Sequence, residues 1–391
     1  MEFELWWLLG IPVFFGLGWV AARVDIRQLL SESRSLPRGY YKGLNHLLND
    51  QPDKAVDAFI EIVRLDPESA EMHFALGNLF RRRGETERAI RVHQNLLARP
   101  DLPQEEKEHA QYELGMDYLK AGLLDRAEET FNTLLGGAYS AQARRALLEI
   151  FQREKEWQRA IEAAIGLQES GAGSRQKEIA QFYCELAQDA LVHLHPEQAL
   201  ALLEKSLQAD RVNVRATMLT GDAQLAQDDV EGALLTWRRV EQISVPHVAL
   251  VAQRLMDGYR KVGRPQEGVN LLKSYLEQAS SIDLIEVVYK AVLELDGVEA
   301  AKQLIGNELR RTPTLLGLDK FLEARLMDAP ATVVPELSMV KNLVHGYTQK
   351  LARYQCGHCG FKARQFYWQC PGCSRWETYP PRRTEELNVM N

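Results

Sequence analysis

Cysteine is scarce in this chain. Its 391 residues include five, and four of them lie close together near the C-terminal end. Such a distribution argues against the disulfide framework of a secreted protein and favours a reducing compartment. The fifth, Cys184, is interpreted as a small side chain buried within a helix.

Short motifs of common catalytic sites are also lacking. The sequence contains no phosphate-binding loop, no H-E-x-x-H zinc motif, no G-x-S-x-G nucleophile elbow and no dinucleotide fingerprint. Its formal net charge of −7 argues against general binding to nucleic acid. We therefore expect a protein that is not an enzyme and that acts by binding other molecules.

Charged residues are missing from a run near the N-terminus that extends from Leu5 to Ala22. An apolar helix of about 20 residues crosses a bilayer core of roughly 30 Å. Glu2 precedes the run and arginines follow it, so the positive-inside rule predicts an external N-terminus and a cytoplasmic body. We interpret residues 1–22 as a retained single-pass anchor and residues 23–38 as a juxtamembrane linker. A cleaved signal peptide is the alternative, which the acidic start disfavours.

The middle of the chain carries a repeating pattern of small residues. Each small residue is followed by a second one twelve positions later, at Gly43/Ala55, Gly77/Ala89, Gly115/Ala127, Ala187/Ala199 and Gly221/Ala233. Small residues would let the two helices of a hairpin approach, and large ones such as Phe59 and Phe131 would fill the gap between hairpins. Each hairpin would bury its face only against its neighbours, which predicts a stack of hairpins.

This spacing resembles the tetratricopeptide repeat, in which L-G-x2-Y is followed by A-x3-F. The closest fit is provided by Leu114, Gly115, Tyr118, Ala127 and Phe131. The resemblance covers residues 39–313 and implies an all-α superhelix. Helical pattern continues beyond it, so we interpret residues 314–352 as capping helices.

Arrays of this family bind peptides or proteins along their concave side, and the resemblance assigns that side to fixed positions of each first helix. In this chain those positions include Tyr40, Phe74, Asn78, Tyr112 and Met116. The three aromatic residues among them would form a ladder for a protein partner. The alternative is that they only pack between helices.

Three consecutive arginines, residues 81–83, end one of the predicted helices. The helix dipole favours cations at that end. We interpret them as a solvated helix end, with an anion-binding site as the alternative.

The four clustered cysteines follow the pattern C-x2-C, ten residues, C-x2-C, at Cys356, Cys359, Cys370 and Cys373. Two such knuckles bring four thiolates to one centre, which suits tetrahedral zinc or iron. The segment is too small to bury a core, so the metal would hold it folded. His358 lies between two ligands and is interpreted as an exposed residue rather than a fifth ligand.

The cysteine segment resembles a rubredoxin-type pair of knuckles, although its spacer is shorter than in free-standing rubredoxins. Ser374 also stands where that family usually has glycine. We place this metal-binding domain at residues 353–380 and a tail at residues 381–391. Six aromatic residues would form a shell around one metal ion: Tyr354, Phe361, Phe366, Tyr367, Trp368 and Trp376. We expect a structural role for that ion, with electron transfer through iron as the alternative.

An anchor, a helical repeat array and rubredoxin-like knuckles occur here in an order that resembles the lipopolysaccharide assembly protein B family. That resemblance implies an inner-membrane adaptor with a periplasmic N-terminus and a body on the cytoplasmic side. It further implies that the adaptor promotes degradation of the lipid A pathway deacetylase, UDP-acyl-N-acetylglucosamine deacetylase, by a membrane-anchored AAA+ zinc protease. Other inner-membrane regulators or assembly proteins of lipopolysaccharide are further implied partners. The alternative is a general scaffold for envelope assembly enzymes without control of proteolysis.

Overall fold

The computed structural model describes residues 43–385, apart from positions 44, 47, 50, 66, 67 and 352. Most of this range is helical, as predicted. The helices are α1 (Pro52–Leu65), α2 (Ala70–Arg82), α3 (Thr86–Leu97), α4 (Gln104–Ala121), α5 (Leu124–Asn132), α6 (Ser140–Glu154), α7 (Trp157–Glu169), α8 (Gln176–Val192), α9 (Pro196–Ala209), α10 (Val214–Ala226), α11 (Val230–Ile243), α12 (Val248–Lys261), α13 (Pro265–Gln278), α14 (Ile282–Asp296), α15 (Val298–Arg311), α16 (Leu315–Leu326) and α17 (Val334–Leu351). A short 3-10 helix (Val245–His247) precedes α12, and strands β1 (Tyr354–Gln355) and β2 (Lys362–Ala363) follow α17.

The chain divides into two compact units with a boundary between Arg153 and Glu154. The sequence predicted one array over residues 39–313. We call the described residues up to Arg153 the N-terminal unit and those from Glu154 the C-terminal unit. Within each unit, most helices that follow one another in the chain pack against each other. Each unit therefore has its own stack of helices.

Polar side chains begin several of these helices. An oxygen of the capping residue accepts a backbone N–H of the first turn at Ser69, Asn213, Asp229, Ser281 and Thr314. Such caps satisfy amides that have no partner inside the helix. They fix where a helix begins in an array whose turns are short.

The turn inside several hairpins contains one residue with left-handed backbone. Gly84 and Gly122 have φ values of 81° and 77°. Leu194 and Asp228 occupy the same place in later hairpins with φ values of 61° and 63°. A residue with a Cβ atom is disfavoured there by about 1–2 kcal/mol. Packing of the two flanking helices therefore fixes these later turns without help from glycine.

Small residues on first helices make room for large side chains of the second helix in the same hairpin. A Cβ atom at Gly115 would lie 2.6 Å from the Phe131 ring, and one at Gly43 would lie 3.0 Å from the Phe59 ring. The sequence predicted that these two rings fill the gap between hairpins. Each ring fills the space that the missing Cβ atom leaves inside its own hairpin, and Phe59 also shares a core with Met72, Leu76 and Phe80 of the next hairpin.

Two further helices, α16 and α17, follow the repeats where capping helices were predicted. The structure begins α17 at Val334, so Pro335 lies in its first turn. The missing N–H of proline is tolerated at that position. The proline therefore helps to begin the helix.

A small module after α17 contains the cysteines. Strands β1 and β2 pair antiparallel, with Gln355 opposite Lys362. An isolated antiparallel bridge joins Gln369 and Trp376. Both members of this second pair lie fourteen positions after their counterparts in the first. The module is thus built from two similar hairpins.

Within residues 43–385, no described helix is both long and apolar enough to cross a membrane. The predicted anchor at residues 1–22, the linker at residues 23–38 and Tyr40 lie outside the described residues. Those interpretations stay predictions.

Candidate metal centre

The sulfur atoms of the four cysteines converge on one point. All four lie within 4.8 Å of one another. Cys356 Sγ is 3.9 Å from Cys373 Sγ, and Cys359 Sγ is 3.6 Å from Cys370 Sγ. Zinc–sulfur bonds of about 2.3 Å give a tetrahedron whose edges are about 3.8 Å long. The four thiols therefore fit one tetrahedral ion, and their chemistry suits either zinc or iron.

Matching hydrogen bonds build the two knuckles. The amide of Cys356 donates to the carbonyl of Phe361 at 2.9 Å. Fourteen positions later, the amide of Cys370 donates to the carbonyl of Arg375 at 2.8 Å. The first cysteine of each knuckle is buried, whereas Cys359 is exposed. Two similar hairpins thus bring two sulfur atoms each to the same point.

The departure from the rubredoxin pattern at Ser374 leaves the second knuckle intact. Ser374 has a φ of 55°, and Gly360 in the first knuckle has a φ of 75°. The amide of Ser374 donates to Cys370 O at 2.8 Å, and the amide of Gly360 donates to Cys356 O at 3.0 Å. Serine therefore adopts the backbone that glycine adopts in the matching turn, although its Cβ atom disfavours it.

Cys356 receives the most hydrogen bonds of the site. Its sulfur lies 3.2 Å from Thr378 Oγ1 and accepts amide N–H groups from His358 at 3.4 Å and Cys359 at 3.5 Å. Burial raises the pKa of the Cys356 thiol, but these hydrogen bonds outweigh burial and lower the pKa to about 6. A thiolate is the form that binds metal. His358 itself is exposed, as predicted.

Some of the predicted aromatic shell packs beside the cysteines. Tyr354, Phe366 and Tyr367 share a small core with Cys370. Sequence reasoning missed Tyr379, which is 3% exposed and whose hydroxyl lies 4.0 Å from Cys370 Sγ. Its only signal in the sequence is an aromatic side chain shortly after the last cysteine.

The two tryptophans of the predicted shell face the helices instead. Trp376 meets the rings of Trp157 at 6.1 Å and Phe182 at 6.0 Å, both edge-on. Trp368 stacks on His247 at 6.0 Å with an interplanar angle of 9°. The two small knuckles enclose too little space for two indole rings, whereas the surface of the helices has room for them. The prediction that these two tryptophan rings surround the metal is therefore wrong.

Polar contacts complete the docking of the module within the C-terminal unit. The hydroxyl of Tyr354 donates to Asp283 at 2.7 Å, and Arg383 donates to the same carboxylate at 2.7 Å. Gln181 Nε2 donates to Glu377 Oε1 at 2.7 Å. Arg383 belongs to the segment that the sequence predicted as a tail. The module therefore rests on the first-helix face of this unit, against α8 and α14.

Two predicted partner-binding aromatics lie in the N-terminal unit, where they pack against other rings. Phe74 is 7% exposed and stacks on His109 with 4.1 Å between ring centroids. Tyr112 is half-buried and stacks on Tyr139 at 5.4 Å. Phe74 therefore offers little surface to a ligand, and Tyr112 offers one part of its ring.

The other two predicted positions are Asn78 and Met116, and both are more exposed than Phe74. Asn78 is half-buried and its side-chain oxygen accepts a hydrogen bond from Arg81. Met116 lines an open groove of about 610 Å³, together with Arg81, Leu119 and Arg153. This groove therefore includes one of the positions that the family resemblance assigned to a partner.

Comparison with protein families agrees with both parts of the fold. The family model described as rubredoxin metal binding domain matches residues 354–381. The model described as tetratricopeptide repeat matches residues 42–101, 112–174 and 184–246. Both resemblances drawn from the sequence are therefore confirmed.

Among solved structures, a chain in the structure of Naa15/Naa10 bound to HypK-THB aligns with 80% of this chain and 51% of its own length, at 16% identity and a TM-score of 0.42. Curated relatives match nearly the whole chain. Lipopolysaccharide assembly protein B of Escherichia coli (strain K12) is 36% identical over 383 residues, which cover 97% of this chain and 98% of the relative. Lipopolysaccharide assembly protein B of Haemophilus influenzae is 29% identical over 403 residues, which cover 98% and 100%.

Proposed function

This chain belongs to the lipopolysaccharide assembly protein B family, and from that premise we propose that it is a non-enzymatic adaptor in the control of lipopolysaccharide synthesis. Stacked helical hairpins are typical of proteins that present extended binding surfaces. A site with four thiolate ligands is coordinatively closed, which suits a structural ion better than hydrolytic catalysis. Protein binding is the function that this combination favours.

One observation carries the proposal. In the C-terminal unit, the metal module covers first-helix positions through contacts such as Trp376 with Phe182. In the N-terminal unit, the groove beside Met116 is open. The module thus covers part of the first helices of the C-terminal unit, whereas the groove of the N-terminal unit is open to a partner.

The adaptor would hold the lipid A pathway deacetylase close to a membrane-anchored AAA+ zinc protease and so promote its degradation. Residues 1–22 would anchor the chain in the inner membrane, with the N-terminus in the periplasm and the body on the cytoplasmic side. Confinement to the membrane raises the effective concentration of the adaptor near another membrane protein. Binding two partners on one chain would then control the lifetime of the enzyme without any chemistry by the adaptor itself.

The test is the half-life of the deacetylase after protein synthesis is blocked, in cells that contain or lack this protein. We expect a longer half-life on depletion. Wild-type chain should restore rapid turnover, whereas a chain lacking residues 1–22 and the Cys370→Ser variant should not. Cys184→Ala is the matched control because that cysteine lies far from the metal ligands in sequence and is buried in a helix.

A half-life that does not change on depletion would contradict control of proteolysis. The general scaffold for envelope assembly enzymes would then be the better account. That scaffold predicts co-purification with synthesis enzymes and no change in the lifetime of any of them. Both measurements can be made on the same cells.

A further inference from the structure

We propose that the open groove of the N-terminal unit binds an extended acidic segment of a protein partner. The inference deepens the proposed adaptor function and rests on it only for the premise that a protein is bound. It revises the interpretation of the arginines at the end of α2 as a merely solvated helix end. We call this site the basic groove and define it by the cations Arg81, Arg82, Lys120 and Arg153 that line it.

Cations recur at matching places on consecutive first helices of the basic groove. Arg82 lies five positions after Gly77, and Lys120 lies five positions after Gly115. Arg153 lies in the last turn of α6 and lines the same groove. Helices that pack side by side are about 8–10 Å apart. Arg82 and Lys120, on the packed helices α2 and α4, therefore present positive charge at roughly that interval along the groove.

Two of these cations are available to a ligand. Arg82 and Lys120 are exposed, and neither forms an ion pair with another described residue. Arg153 differs, because it pairs with Glu149 one turn earlier at 2.5 Å. An incoming carboxylate would meet two uncompensated charges and a third that can exchange partners.

Arg81 has a different part in the site, because a buried network fixes it. Its Nη1 donates to Asp117 Oδ1 at 2.9 Å, and its Nη2 donates to Glu113 Oε2 at 2.5 Å. The second oxygen of Asp117 lies 2.5 Å from His93 Nδ1, and both of these side chains are fully buried. The charge of Arg81 is thus compensated by Asp117 and Glu113. These hydrogen bonds hold its guanidinium in a fixed position beside the exposed cations.

The floor of the groove is apolar, which favours a ligand that carries apolar side chains as well as carboxylates. Met116 and Leu119 line it between the cations. A chain in the extended polyproline II conformation advances about 3.1 Å per residue with three residues per turn, so carboxylates at every third position lie on one face about 9 Å apart, close to that spacing. Apolar side chains between those carboxylates would meet the floor. A flat anionic bilayer does not enter a concave groove, and the net charge of −7 opposes its approach.

The test is fluorescence anisotropy of a dye-labelled peptide of about twelve residues, with glutamate at every third position and leucine or serine between, titrated with the full chain in detergent. The double variant Arg82→Glu/Lys120→Glu should bind at least about tenfold more weakly, since each reversal replaces attraction by repulsion. The matched control is Lys54→Glu/Arg91→Glu, which makes the same charge change at exposed positions outside the groove. It should bind within about twofold of wild type, and binding by wild type should weaken with added salt.

Equal peptide affinity of the two double variants, with unchanged melting temperatures, overturns the inference. Failure of the wild-type chain to bind the peptide does the same. Binding of wild type to vesicles with about one third anionic lipid, without binding to the peptide, would assign the cations to a membrane surface and also overturn it.

Deacetylase half-life in cells separates this inference from the proposed function. A half-life that never depends on the protein contradicts the adaptor while the peptide result stands. A failed peptide test with a half-life that still depends on the protein removes the basic groove and leaves the adaptor. Slow turnover in Arg82→Glu/Lys120→Glu cells, with normal turnover in the control, supports both.

Discussion

The hydroxyl of Tyr354 donates a hydrogen bond to Asp283 Oδ2 at 2.7 Å. It joins the first strand of the metal module to the first turn of α14. Arg383, at the far end of the module, donates to both oxygens of the same carboxylate and lies over the Tyr354 ring at 4.2 Å. One carboxylate therefore holds the beginning and the end of the module against the repeats.

Replacing Asp283 by alanine is expected to loosen the module without removing its metal ligands. Hydrogen bonds to a charged group typically contribute about 1.5–3 kcal/mol. Amide hydrogen exchange should become faster across residues 354–383, while the metal content stays unchanged. Glu299→Ala is the control, because that exposed carboxylate pairs only locally with Lys302. Equal exchange in the two variants would show that the carboxylate does not hold the module.

Removal of one metal ligand is expected to unfold the module and leave the helices. The four sulfur atoms approach one another closely, and only a small core supports them. Without the ion the knuckles lose the interaction that holds them folded. Elemental analysis of Cys370→Ser should show less than the single ion per chain expected of wild type, with nearly unchanged helical circular dichroism. Full metal retention by Cys370→Ser, or equal loss by Cys184→Ala, would contradict the assigned ligand set.

Gly115→Ala is expected to destabilise the N-terminal unit. A Cβ atom there would lie 2.6 Å from the ring of Phe131, which is fully buried. Overpacking of this kind typically lowers the free energy of unfolding by about 1–3 kcal/mol. The comparison is with Gly136→Ala, where no atom lies within 4 Å of the added Cβ. Thermal unfolding should show a lower midpoint for Gly115→Ala alone, and equal midpoints would rule out the close approach.

The thiol of Cys184 is expected to be inert in the folded protein. Burial raises its pKa from 9.0 to about 11. Because the folded pKa lies above the unfolded one, the thiol's contribution to stability is complete below pH 9 and is lost as pH rises through 11. The free energy of unfolding should therefore fall more steeply in that window for wild type than for Cys184→Ala. Iodoacetamide at pH 8 should label this residue, by mass spectrometry, only after unfolding; rapid labelling of the native chain would contradict its burial.

Sequence alone determined the helical repeats and the convergence of the four cysteines. Small residues at matched intervals, such as Gly77 and Gly115, predicted where helices approach, and the structure confirms that close packing. The two C-x2-C pairs predicted four converging sulfur atoms, which lie within 4.8 Å of one another. Both features are local, since a helix period or a tight knuckle is encoded within a few residues.

Tertiary structure alone decided what the module touches and which turns adopt left-handed backbone without glycine. Nothing near Trp376 in the sequence indicates that its ring will meet Phe182. The hydrogen bond between Gln181 and Glu377 joins residues 196 positions apart. Such contacts depend on how many hairpins stack between the two residues, and each hairpin adds its own small rotation. The position at which distant surfaces meet therefore depends on the combined rotations of all the hairpins between them. No local repeat in the sequence specifies that total.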